Sequence, residues 1–112
     1  MSDLREYLAC AQDSGLLKIV DRPVDPQLEI ARVIHALEGH PILFTDPQRS
    51  PWRVVTGICA QRESFAWALG TDVAGIIPRL VAALGQPTMP PETVEAPCQE
   101  IIDPEPNLEA LP

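Results

Sequence analysis

The sequence predicts a small α/β fold: a mixed sheet of three to four strands flanked by helices, with an extended, proline-rich acidic C-terminal segment. Three observations carry that expectation. Strand-like and helix-like patterns alternate through residue 85. The stretch 42–70, ILFTDPQRSPWRVVTGICAQRESFAWALG, reads as strand, turn, strand and helix in direct succession. Beyond residue 85 the periodicity stops, and proline and acidic residues take over.

Taken in order, Asp3-Leu4-Arg5-Glu6 forms a capping box, in which Asp3 accepts from the Glu6 amide. Leu4, Tyr7, Leu8 and Ala11 then make one apolar face at helical spacing, and Gly15 supplies a left-handed stop. Residues 16–20 are apolar apart from Lys18 and predict a strand. Asp25-Pro26 is an N-cap followed by proline at the first helical position, where a missing N–H costs nothing. That second helix runs through Leu28, Ala31, Val33, Ile34 and Leu37 to Gly39, and Pro41 prevents its continuation.

The central unit follows. Residues 42–45 form a strand ended by Asp46-Pro47, and residues 52–57 are aromatic and β-branched, as a pleated surface prefers. The intervening loop allows an antiparallel hairpin. Residues 62–69 place Phe65, Ala66 and Leu69 at helical spacing before Gly70. Thr71 or Asp72 caps a last helix, with Val73, Ile76, Ile77, Leu80, Val81 and Leu84 on its buried side. Pro78 is expected to kink that helix, or to split it into a turn and a helix beginning at the proline. Residues 86–97 contain four prolines and read as a stiff connector. Residues 98–102 predict a strand. The division that results is a compact domain over 1–85 and a connector with a docking strand over 86–112, without a core of its own.

With 112 residues, 46% of them hydrophobic, the chain suits one domain with a modest core. No apolar run reaches the length of a membrane span, and the charged start MSDLREYL suits a helix better than a secretory signal. A cytoplasmic location is the expectation. Net charge is −8, and residues 86–112 hold six of the sixteen acids and no Lys or Arg. Nucleic-acid binding is disfavoured, because phosphate recognition needs a basic footprint. An acidic tail either stays solvated or meets a basic partner surface.

The side chains offer few chemical candidates. Cys10, Cys59 and Cys98 form no C-x-x-C pair and read as reduced, buried thiols. Cys59 precedes a helix, a position from which a thiol can be activated, but no base stands near it in sequence. His35 and His40 lie five residues apart, off a common helix face, which disfavours a two-histidine metal site. Asp25, Glu29 and Glu38 read as a solvated helix face. Arg49, Arg53 and Arg62 suit either an anion or, preferentially, the acidic tail or a neighbouring subunit. Trp52, Trp67 and Phe65 suit an interface patch or core packing. No glycine-rich phosphate motif is present.

Taken together, LREYL…GLLKIV (4–20), VDPQLEIARV (24–33), PILFTD (41–46), SPWRVVTGI (50–58), RESFAWALG (62–70) and APCQEIID…NLEALP (96–112) resemble the N-terminal segment of the UbiD family. Members are prenylated-FMN-dependent decarboxylases of aromatic and α,β-unsaturated acids. The resemblance implies reversible, non-oxidative (de)carboxylation by the complete enzyme, a carboxy-lyase using prenylated FMN with a divalent metal (Mn) and a monovalent cation (K). The family's catalytic arginine and two acidic residues, its flavin pocket and its metal ligands belong to a later domain. No position here is therefore assigned a catalytic, cofactor-binding or metal role.

Three functional readings follow. In the first, the chain is the N-terminal domain or small subunit of a UbiD-like (de)carboxylase. It is then inactive alone and structural in role, with a UbiD-like catalytic domain or subunit as partner within an oligomer. In the second it is a free-standing, non-enzymatic interaction or regulatory protein. In the third it is a thiol enzyme using Cys59, which the small depth of such a sheet argues against.

Overall fold

The computed structural model describes residues 3–90, 92–93, 96 and 100–111. Its first helix, α1 (Leu4–Asp13), is capped as its sequence dictates: the Glu6 amide donates to Asp3 Oδ1 at 2.8 Å. Gly15 takes φ +74°, which turns the chain towards strand β1 (Lys18–Val20). Helix α2 (Glu29–Ala36) then crosses to β2 (Ile42–Phe44), and a loop leads to β3 (Val54–Thr56). Helices α3 (Arg62–Leu69) and α4 (Ile76–Gly85) follow.

The sheet has the order β1-β2-β3, with β1 parallel and β3 antiparallel to β2. Ile19, Leu43 and Val55 stand opposite one another across the three strands. Strand alternation therefore puts them on one face, with Val20, Phe44 and Val54 on the other. That second face holds the core. Val24, Ile42 and Phe44 are fully buried and pack with Val20, Ile30, Val33, Ile34, Leu37 and Val54, joining α2 to the sheet. Beyond β2 the pairing continues as a parallel bridge between Val24 and the buried Pro47. In this parallel bridge the neighbours of Pro47 carry both bonds, the Val24 amide donating to the Asp46 carbonyl at 3.1 Å and the Gln48 amide to the Val24 carbonyl at 2.9 Å, so the missing proline donor costs nothing.

Several boundaries differ from the sequence expectation. Helix α2 begins at Glu29, because Asp25 heads a turn instead of the helix proper. Asp25 Oδ1 accepts from the Gln27 amide at 2.9 Å, and the Glu29 carboxylate accepts from the Asp25 amide at 2.9 Å. The Pro78 helix is split as expected, but α4 starts at Ile76. Pro78 then lies in the first turn, where an N–H has no intrahelical acceptor to lose. Asp72 caps the preceding turn, its Oδ1 accepting from the Gly75 amide at 2.8 Å. The predicted buried side of α4 is a correction: none of its residues is buried. The helix packs on α3 and nothing described lies over its other side.

After α4 the described residues contain one short 3₁₀ turn, Leu108–Ala110. Of the strand expected at 98–102, Cys98 and Gln99 lie outside the described residues, and Glu100–Ile102 form none. Among the described residues no helix is long and apolar enough to cross a membrane.

Candidate functional site

Helix α3 is built on a divided face. Ser64 and Ala66 are buried, and Trp67 is half-buried against Tyr7 of α1, with ring centroids 6.1 Å apart and planes tilted by 54°. The Tyr7 and Ser64 hydroxyls meet at 3.0 Å in the same contact. This turns Phe65 outwards, where it is 46% exposed, so of the two readings left open for it the surface one holds and core packing does not. Gly70, at φ +65°, ends the helix and sends the chain back along it as α4.

Between the two helices runs a groove of about 580 Å³, lined by Arg62, Phe65, Leu69, Val73, Ile77 and Leu80. Its walls are apolar and its one cation comes from Arg62. Val81 and Leu84 extend the apolar surface along α4, which carries a single charge, Arg79. A second groove, of about 570 Å³, lies between α1 and the face of the sheet opposite α2. Leu8, Leu43 and Val55 contribute apolar wall, with Arg5, Trp52 and Arg53 beside them. A third, of about 330 Å³, gathers His35 of α2 with Glu38, His40, Gly57 and Ala60.

The residues singled out in the sequence are thus distributed. His35 and His40 share the third groove although they do not share a helix face. Among the described residues, no three His, Cys, Asp or Glu side chains gather as a metal site requires. His40 Nδ1 and Thr56 Oγ1 are buried without a hydrogen-bond partner among the described residues. Cys10 and Cys59 are exposed, which corrects the expectation of buried thiols; Cys98 lies outside the described residues. Arg53 and Arg62 line different grooves, and Arg49 sits in a turn at φ +66°. Trp52, Trp67 and Phe65 likewise divide: Trp67 is packing, whereas Trp52 and Phe65 face solvent on separate grooves.

One carboxylate is electrostatically tuned. The Asp25 amide, and then Arg22 at 2.6 Å, hold Glu29 below the ordinary glutamate value. The pair is surface-exposed and braces the start of α2. Sequence reading missed the Tyr7–Ser64 bond and both large grooves. One signal for the α3–α4 groove was available: a ten-residue helix with a single charge is too apolar for an uncovered surface.

Comparison with known proteins places this geometry. Residues 9–84 match the family of the 3-octaprenyl-4-hydroxybenzoate carboxy-lyase N-terminal domain. The fold superposes on the UbiD-class enzyme HmfF from Pelotomaculum thermopropionicum in complex with FMN, with TM-score 0.71 and 38% identity over 77% of this chain and 20% of that one. An evolved dimeric form of HmfF in complex with prFMN gives TM-score 0.72 and 37% identity, over 80% of this chain and 21% of that one. The closed form of vanillic acid decarboxylase from Sedimentibacter hydroxybenzoicus gives TM-score 0.82 and 27% identity, over 96% of this chain and 25% of that one. The chain thus spans a fifth to a quarter of the length of these solved structures. The helix–strand order, the mixed three-stranded sheet and the match over residues 9–84 together show that the chain belongs to the UbiD family, as its N-terminal domain.

Proposed function

We propose that the chain serves as the N-terminal domain or small subunit of a UbiD-class non-oxidative (de)carboxylase of aromatic or α,β-unsaturated acids, working in the cytoplasm. Its role is structural and assembly-directed, and it does not catalyse alone. The observation that carries this reading is the match of residues 9–84 to the family's N-terminal domain, in a chain a fifth to a quarter as long as the enzymes it resembles.

In this reading the prenylated flavin, divalent metal and monovalent cation of the complete enzyme are held by the partner. The α3–α4 groove offers one arginine among apolar side chains, and among the described residues no acidic cluster stands beside it. No chemical step is therefore routed through these residues. The chain instead contributes a folded face to a partner that holds the chemistry. In this reading residues 1–85 are the folded domain, and 86–112 are an acidic, proline-rich connector and docking strand that gains order on the partner.

Mixing the chain with a UbiD-class catalytic subunit that lacks this domain tests the proposal. A stable complex on a sizing column, with decarboxylase activity restored, is the expected result. Separate elution without activity overturns it and favours a free-standing interaction protein. Amide exchange on the isolated chain tests the division: strong protection across residues 95–103 counts against it.

A further inference from the structure

We infer that the apolar face formed by α4 and its groove with α3 is the surface by which this chain docks onto the remainder of a UbiD-class enzyme. The inference rests on the functional reading above and adds the surface and its chemistry.

The fold leaves this face uncovered. Ile77 is 67% exposed, Val81 62% and Leu84 82%, and with Leu80 they follow helical spacing along one stripe. Beside the stripe, Phe65 and Val73 continue the apolar surface across the groove to α3. Contiguous apolar surface on this scale marks an interaction site more often than an ordinary exterior. The stripe-and-groove shape suits an apolar ridge such as a partner helix.

The occupant follows from the length of the relatives. The family match ends at residue 84, at the close of α4, and the matched enzymes extend for three quarters or more of their length beyond the matched part. In such enzymes three quarters or more of the polypeptide lies outside the matched part and is available to cover this face. The face also states the chemistry of its partner. It carries Arg62 at the groove, and α4 holds no acid, so the complementary surface is apolar with a carboxylate at its edge. The groove at Arg5, Trp52 and Arg53 differs, because α1 already lines one wall and Asp3 stands among its cations. It serves as the comparison surface.

The test uses the whole chain with a UbiD-class catalytic subunit that lacks this domain, and binding is measured by titration calorimetry. Ile77→Glu and Val81→Glu are each expected to weaken binding by about tenfold or more, as residues central to an interface do. Both positions are exposed and glutamate is a good helix former, so thermal melts should report an intact fold. Trp52→Ala and Arg53→Ala should bind like the unsubstituted chain. If the α4 variants bind unchanged to a partner that the parent chain also binds, the surface assignment falls and the functional reading stands. If the parent chain does not bind, both fall. If the chain alone is a dimer that Ile77→Glu dissociates while binding to the catalytic subunit persists, the face belongs to a second copy and the inference is overturned.

Discussion

Tyr7 and Ser64, 57 positions apart in sequence, join their hydroxyls at 3.0 Å inside the contact between α1 and α3. Both side chains are buried, so the bond is the polar centre of an otherwise apolar junction. Removing one partner leaves the other, itself buried, without its bond. Tyr7→Phe is therefore expected to cost about 1–3 kcal/mol, read from the urea unfolding midpoint. The double variant Tyr7→Phe/Ser64→Ala should cost less than the two single changes summed, since it leaves no orphaned hydroxyl. Strict additivity would show that the two groups do not act as a pair.

Two glycines separate conformational strain from steric exclusion. Gly70 takes φ +65° with open space where a Cβ would stand, so Gly70→Ala should cost only the left-handed penalty, about 1 kcal/mol. Gly57 takes φ +70°, and a Cβ there would lie closer than 3.0 Å to the His40 carbonyl oxygen. Gly57→Ala adds backbone displacement to the same strain and is expected to cost about 2–4 kcal/mol. Thermal melts of the two variants should rank them in that order.

Burial decides the weight of the aromatic residues. Phe44 is fully buried on the α2 face of the sheet, and Phe44→Ala should destabilise by about 3–5 kcal/mol. Trp52 is 60% exposed, and Trp52→Ala should change stability by no more than about 0.5 kcal/mol. Denaturant titration compares them directly. A large loss at Trp52 would place it in the core.

Glu29 gives the start of α2 a pH dependence of known sign. Its folded pKa is lowered, first by the Asp25 amide and then by Arg22, so the contribution is complete above the unfolded glutamate value. It is lost as pH falls from that value through the lowered folded one. Glu29→Gln should remove this acid-side component and leave stability at neutral pH only slightly changed, because the pair is exposed. Unfolding midpoints measured across the acid range, at low and high salt, check the sign. An identical acid profile for the variant would exclude Glu29 as its source.

Much of the fold was legible because its signals are local. Helix α3 runs from Arg62 to Leu69 with Gly70 at positive φ, as the spacing and the glycine require. The Asp3 cap, the strand pair about Asp46-Pro47 and the mixed sheet were readable for the same reason. Asp25-Pro26 misled by three residues, since the same aspartate can head a turn as well as a helix, and only the Glu29 side chain decided between them. Phe65 stayed open between surface and core because helical spacing names the faces of a helix without saying which one meets a neighbour.

By itself the sequence determined the order of helices and strands through residue 85, the Asp3 cap, the Gly70 stop, the acidic charge of the tail and the resemblance to the UbiD family. Each depends on neighbours within a few residues, or on a pattern spread along the whole chain. Only the tertiary structure decided that Ser64 meets Tyr7, that the arginines and tryptophans separate onto different grooves, and that α4 packs by one side alone. Those facts depend on which surfaces close over one another in space. An apolar helix carries the same residues whether its own domain covers it or a partner must.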